Sequence, residues 1–87
     1  MKIKKLEIPE KILKDKRIKP ECKIIYEYIF TKGFERIITD LNIGEIQQVV
    51  KITNQGLKRN LEKLEKFKYL VFKEYDSGMY QIHLQDC

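Results

Sequence analysis

Residues 53–66 read TNQGLKRNLEKLEK, and the polar members of this stretch are suited to hydrogen bonding with a base pair. The side-chain amides of Asn54 and Gln55 each offer a donor and an acceptor, the pairing that adenine presents in a major groove. Lys58 or Arg59 could contact guanine in the same way. Lys63 and Lys66 lie further along and suit phosphates. Thr53 is placed to cap a helix whose free N–H groups and positive dipole end would add to anion attraction. The same residue types also fill ordinary solvated helix faces, so their meaning depends on the elements that carry them.

Those elements can be read from apolar spacing. Leu57, Leu61 and Leu64 fall within about 60° of one another at the ~100° step of a helix, which makes one core stripe and turns Gln55, Arg59, Glu62, Lys63 and Lys66 outward. The pattern weakens at Phe67 and Lys68, where the helix should end. Upstream, Asn42 with Glu45 forms an N-cap and capping-box pair. Ile43, Ile46, Val49 and Val50 then give the buried side of a short helix.

Further upstream, Pro20 suits a first helical position. Cys22, Ile25, Tyr26 and Ile29 follow as one stripe, widened by Ile24, Tyr28 and Phe30, with Gly33 as C-cap. A short strand fits before Asn42, where Ile37 and Ile38 are β-branched. A helical turn fits at residues 9–14, and the polar run at residues 14–19 reads as solvated.

Residues 71–75 and 79–84 alternate as two strands around Asp76-Ser77-Gly78. A three-residue loop pairs Tyr75 with Met79, Phe72 with Ile82 and Leu70 with Leu84, and gathers Leu70, Phe72, Tyr80, Ile82 and Leu84 on one face. A two-residue loop mixes the faces, so the longer loop is favoured, with Gly78 left-handed. Lys73, Tyr75 and Gln81 could touch phosphates, and Ser77 or the Gly78 amide could reach a minor groove. Glu74 and Asp76 oppose this, and the hairpin could instead only complete the core.

The 87 residues fit one domain, and 43% hydrophobic content is enough for one core. No apolar run approaches the ~20 residues of a membrane span, and no secretory signal is visible. Cys22 and Cys87 form no CxxC pair, which points to a reduced, cytoplasmic protein. The net charge of +5 is unevenly spread. Residues 1–23 carry +5 and residues 53–68 carry +3, while residues 69–87 carry −2. Lys2, Lys4, Lys5, Lys11, Lys14, Lys16 and Arg17 could add sequence-independent attraction to a polyanion.

No catalytic constellation is visible. The chain has a single histidine, no phosphate-binding glycine loop and no nucleophile motif, so no enzyme is expected. A zinc site would need Cys22, His83 and Cys87 to converge from distant positions, so no metal or other cofactor is expected. Cys22 reads as a small core residue and His83 as a surface one.

Three helices followed by a hairpin is the element order of a winged helix. Residues 42–70 resemble the helix-turn-helix and wing start of bacterial winged-helix DNA-binding proteins, with Ile43, Ile46, Val50, Ile52, Leu57, Leu61, Leu64 and Leu70 in step and Thr53 at the N-cap of the recognition helix. Residues 8–30 more loosely resemble the lead-in of plasmid- and phage-type replication initiator or replisome-organiser domains.

The resemblance implies an α+β winged helix over residues 20–87, preceded by a basic arm or short element over residues 1–19. It implies sequence-specific binding of double-stranded DNA, in transcriptional regulation or replication. The chain departs from the pattern at Gln47, Lys51, Gly56 and Lys68. Gly56 costs about 1 kcal/mol inside a helix and could let backbone approach the first helix or the DNA. The competing reading is a protein-interaction module, in which a homodimer or a protein partner docks through the hairpin or the N-terminal segment. A role with single strands or RNA would need more exposed aromatics than Tyr75.

Overall fold

The computed structural model describes residues 10–33 and 39–85. These residues form an α+β unit of four helices and one three-stranded antiparallel sheet. In chain order they are α1 (Glu10–Lys14), α2 (Pro20–Lys32), β1 (Thr39–Asn42), α3 (Ile43–Ile46), α4 (Asn54–Lys66), β2 (Leu70–Asp76) and β3 (Met79–Leu84). The sheet order is β1-β3-β2, so β3 is central and β2 is an edge.

Apolar periodicity decides which face of each element is buried. Leu57, Leu61 and Leu64 of α4 are fully buried against a core that includes Ile25, Ile29, Leu41, Ile46, Tyr80 and Ile82. Each buried leucine contributes about 1.5–3 kcal/mol relative to an exposed one, so this stripe fixes the rotation of α4. The α2 stripe of Cys22, Ile25, Tyr26 and Ile29 is buried as its spacing predicts. Ile24 does not widen it: one step off the stripe, it is 45% exposed. Tyr28 and Phe30 are half-buried. Gly33 ends α2 with its N–H donating to Ile29 O at 2.8 Å and an ordinary φ of −91°.

The expected strand before Asn42 is β1, while Ile37 and Ile38 lie outside the described residues. The Asn42–Glu45 capping box forms in both directions. Glu45 also accepts from Tyr28 Oη at 2.8 Å and from Lys32 Nζ at 2.6 Å, tying α3 to α2. The helix after Asn42 is shorter than its apolar spacing predicts. The N–H groups of Gln48 and Val49 donate to carbonyls three residues back, the tighter 3₁₀ winding. That winding swings Val49 outward, to 48% exposure, instead of burying it. Gln47 holds the next turn by donating from Nε2 to Ile52 O at 3.0 Å.

Helix α4 stops where the stripe weakens. Tyr69 N–H donates to Leu64 O and Lys68 N–H to Glu65 O, with Lys68 at φ 66°. This is a Schellman ending with lysine in the left-handed position that glycine usually takes.

The hairpin register matches the alternation at Leu70–Leu84 and Phe72–Ile82. The expected Tyr75–Met79 pair does not form. A bulge at Tyr75 carries β2 on to Asp76, which pairs with Met79 across a two-residue Ser77-Gly78 connection. The bulge absorbs the extra residue and keeps Leu70, Phe72, Tyr80, Ile82 and Leu84 on the core side, as a three-residue loop would. Gly78 is left-handed, with φ 73°.

Ahead of α2, the helical turn expected at residues 9–14 is α1, and Lys14, Lys16, Arg17 and Lys19 of the polar run are exposed as expected. Ile12 is 0% and Ile18 2% exposed, both within the same core cluster as α2 and α4. Asp15 accepts from the Arg17 guanidinium at 2.8 Å and from Tyr69 Oη at 2.8 Å, and Arg17 lies 4.0 Å over the Phe67 ring. Asp15 and Arg17 of the polar run thus sit against the end of α4, while its lysines stay exposed. Residues 1–9 of the expected basic arm or short element lie outside the described residues.

Candidate nucleic-acid interface

The outward side of α4 is flanked by the hairpin on one side and the start of α2 on the other. Thr53 caps the helix as expected, its Oγ1 accepting from Gly56 N–H at 3.0 Å. The close approach that Gly56 permits is to the turn before α4 and not to another helix: a Cβ there would stand 2.9 Å from Ile52 Cγ1. Its absent side chain therefore lets the helix start close over the preceding turn.

On the hairpin flank the polar groups satisfy one another. Tyr80 Oη donates to Asn54 Oδ1 at 2.6 Å, and Asn54 Nδ2 donates to Glu74 Oε2 at 3.5 Å. Lys58 Nζ lies 3.4 Å from Glu74 Oε1, and Gly78 N–H donates to Glu74 Oε2 at 3.2 Å. The Gly78 N–H, backed by Asn54 and Lys58, holds the Glu74 carboxyl below its usual range against the opposing effect of burial. Burial first, and then the Glu74 charge, pushes the Tyr80 hydroxyl up. Asn54 and Lys58, both expected to face bases, are thus engaged at the turn end of the hairpin.

Gly78 is also unavailable to a groove. It is buried, its amide is used by Glu74, its carbonyl accepts from Ile43 N–H at 2.9 Å, and a Cβ would stand 2.9 Å from Ile43 Cγ2. Ser77, Lys73 and Tyr75 are exposed as expected. Lys73 stands on the outer sheet face beside Gln81 and His83, with Tyr75 on the bulge and Ser77 in the turn.

On the other flank the cations stay open. Gln55, Arg59, Lys63 and Lys66 are all exposed on the outward side of α4. Arg59 and Lys63, together with Asn60, line a groove of about 280 Å³ with Lys19, Glu21 and Cys22 from the start of α2. Its one carboxylate, Glu21, accepts from Asn60 Nδ2 at 3.4 Å. The side chains of Lys19, Arg59 and Lys63 make no hydrogen bond or ion pair within the described residues, while Lys66 lies 5.7 Å over the Phe67 ring. Burial pushes the Cys22 thiol up to about 11, which keeps it a neutral core group.

Of the expected site residues, the fold therefore brings Gln55, Arg59, Lys63 and Lys66 together. It draws Asn54, Lys58 and Gly78 into contacts at the turn end of the hairpin and leaves Lys73, Tyr75 and Ser77 exposed on it. Sequence reading missed Lys19 and the holding role of Glu74, because neither proximity has a local signal.

Comparison with known proteins returns no match: no family model, no curated protein and no solved structure matches the chain. Among the described residues, no helix is long and apolar enough to cross a membrane, and no three His, Cys, Asp or Glu side chains converge to hold a metal.

Proposed function

We propose that this chain is a winged-helix domain that binds double-stranded DNA sequence-specifically, as a transcriptional regulator or as the DNA-binding part of a replication protein. The observation that carries this reading is the row Gln55, Arg59, Lys63 and Lys66. Three basic groups and an amide lie exposed on one side of a helix whose opposite side is clamped by Leu57, Leu61 and Leu64. A helix fixed in rotation presents those groups in constant register, which base readout requires. Arg59 is suited to guanine, Gln55 to adenine, and Lys63 and Lys66 to phosphates.

The test is fluorescence anisotropy with duplex DNA, first of random sequence and then of a selected site. Arg59→Ala should weaken the selected site by about 1–3 kcal/mol and relax specificity at one base. An equal loss on every sequence would assign Arg59 to a phosphate instead.

A second reading has its own support. Val71 is 41% and Tyr75 48% exposed on the edge strand β2, which suits docking of a protein partner or a second copy. Salt separates the two readings. Phosphate binding falls steeply between 50 and 200 mM salt, whereas an apolar contact changes little.

A further inference from the structure

Taking the DNA-binding reading as its basis, we propose that the duplex lies along the α2 side of α4. In this arrangement Lys19, Arg59 and Lys63 face the DNA backbone and bases, and the hairpin stays off the DNA. The two flanks of α4 differ in what they offer an anion. On the hairpin flank, the one cation near the helix start, Lys58, is matched by Glu74, and the hairpin tip adds Asp76, which accepts from Ser77 N–H at 2.8 Å. Residues 69–87 carry net −2, so a phosphate track over the hairpin would meet like charge.

The α2 flank presents three cations around one groove, and its single carboxylate is engaged by Asn60. Lys19 immediately precedes Pro20, the first residue of α2, and has extended backbone. Burial of Ile18 next to it, at 2% exposure, fixes the chain there. Its ammonium is thus supplied to the α4 surface from a separate element 40 residues earlier than Arg59. A duplex crossing α4 toward α2 would engage Gln55 and Arg59 at its bases and Lys63 and Lys19 at its phosphates.

The experiment compares the wild-type chain with Lys19→Ala, Lys63→Ala and Lys73→Ala, binding a random-sequence duplex between 50 and 200 mM salt. Each phosphate contact contributes about 0.9 to the slope of log affinity against log salt. Losing one should therefore shrink the fall in affinity over that fourfold salt range by about threefold. Lys19→Ala and Lys63→Ala are expected to show this loss, while Lys73→Ala keeps the wild-type slope. A reduced slope for Lys73→Ala with an unchanged slope for Lys19→Ala would overturn the proposed path while leaving DNA binding intact. No binding by the wild-type chain at 50 mM salt would overturn the DNA reading itself, and the path with it.

Discussion

The two flanks of α4 are built from the same kinds of residue and end in opposite states. Toward the hairpin, Asn54 and Lys58 are taken up by Glu74 and Tyr80. Toward α2, Arg59 and Lys63 form no ion pair, the one carboxylate of their groove, Glu21, accepts from Asn60, and Lys19 joins them. The difference teaches that a polar helix face is not one site. Whichever element packs beside it selects which side chains serve the fold and which remain for a ligand. A hydrogen bond already made inside the protein must be broken before the same atoms can read a base, and its partner is then left unsatisfied.

Both flanks depend on the leucine stripe beneath them, so the largest expected effect is common to both. Leu61→Ala should remove about 2–5 kcal/mol of stability, because Leu61 is fully buried and its neighbours close only partly over the gap. Urea denaturation measures this. A loss below about 1 kcal/mol would mean that the stripe does not clamp α4, and the constant register on which the comparison rests would go with it.

The next effect separates the flanks. Tyr80→Phe removes the donor to Asn54 Oδ1 at 2.6 Å and leaves a partly buried amide short of a partner. It should cost about 1–2 kcal/mol in the same assay. Arg59→Ala, which touches no described carboxylate, should stay within about 0.5 kcal/mol of wild type in stability. Equal costs for the two would erase the distinction between a structural flank and an open one.

What the sequence reveals and conceals follows from the range of the interactions. The α4 leucines, the α2 stripe, the Asn42–Glu45 box, the Thr53 cap and the hairpin faces are all legible, because each is a local period or a contact within three residues. The bulge at Tyr75 is not, since an alternation of faces fixes the register but not how a turn absorbs one residue. Ile18 is hidden because a single apolar residue among charges has no period, yet it is buried. Lys68 at φ 66° is legible only through the resemblance, which marks it as a departure where the helix ends, because a non-glycine residue by itself gives no sign of a left-handed site. The same limit splits the site. Gln55, Arg59, Lys63 and Lys66 are found by helical spacing, but Asn54 and Lys58 are assigned to bases because their partner Glu74 lies 20 and 16 positions on.

The smallest effect is also the most selective, because it titrates one flank only. Glu74 is held below its ordinary value of 4.5, mainly by the Gly78 N–H and then by Asn54 and Lys58, against the opposing effect of burial. A carboxyl depressed in the folded state contributes stability where it is ionised in both states, above its unfolded value. That contribution is lost as pH falls through the folded value. Thermal unfolding followed from pH 7 downward should therefore show an acid limb. Asp15 and Glu45, which are also depressed, contribute to that limb, so the informative quantity is the difference between variants. Glu74→Gln keeps an acceptor for Gly78 and cannot ionise, so its acid limb should be shallower than that of wild type below about pH 4.5. Arg59→Ala should run parallel to wild type throughout, because no carboxylate on its side is held by it. A limb that flattens in Arg59→Ala and not in Glu74→Gln would place the committed acid on the α2 flank, and would reverse which side of α4 is open to a ligand.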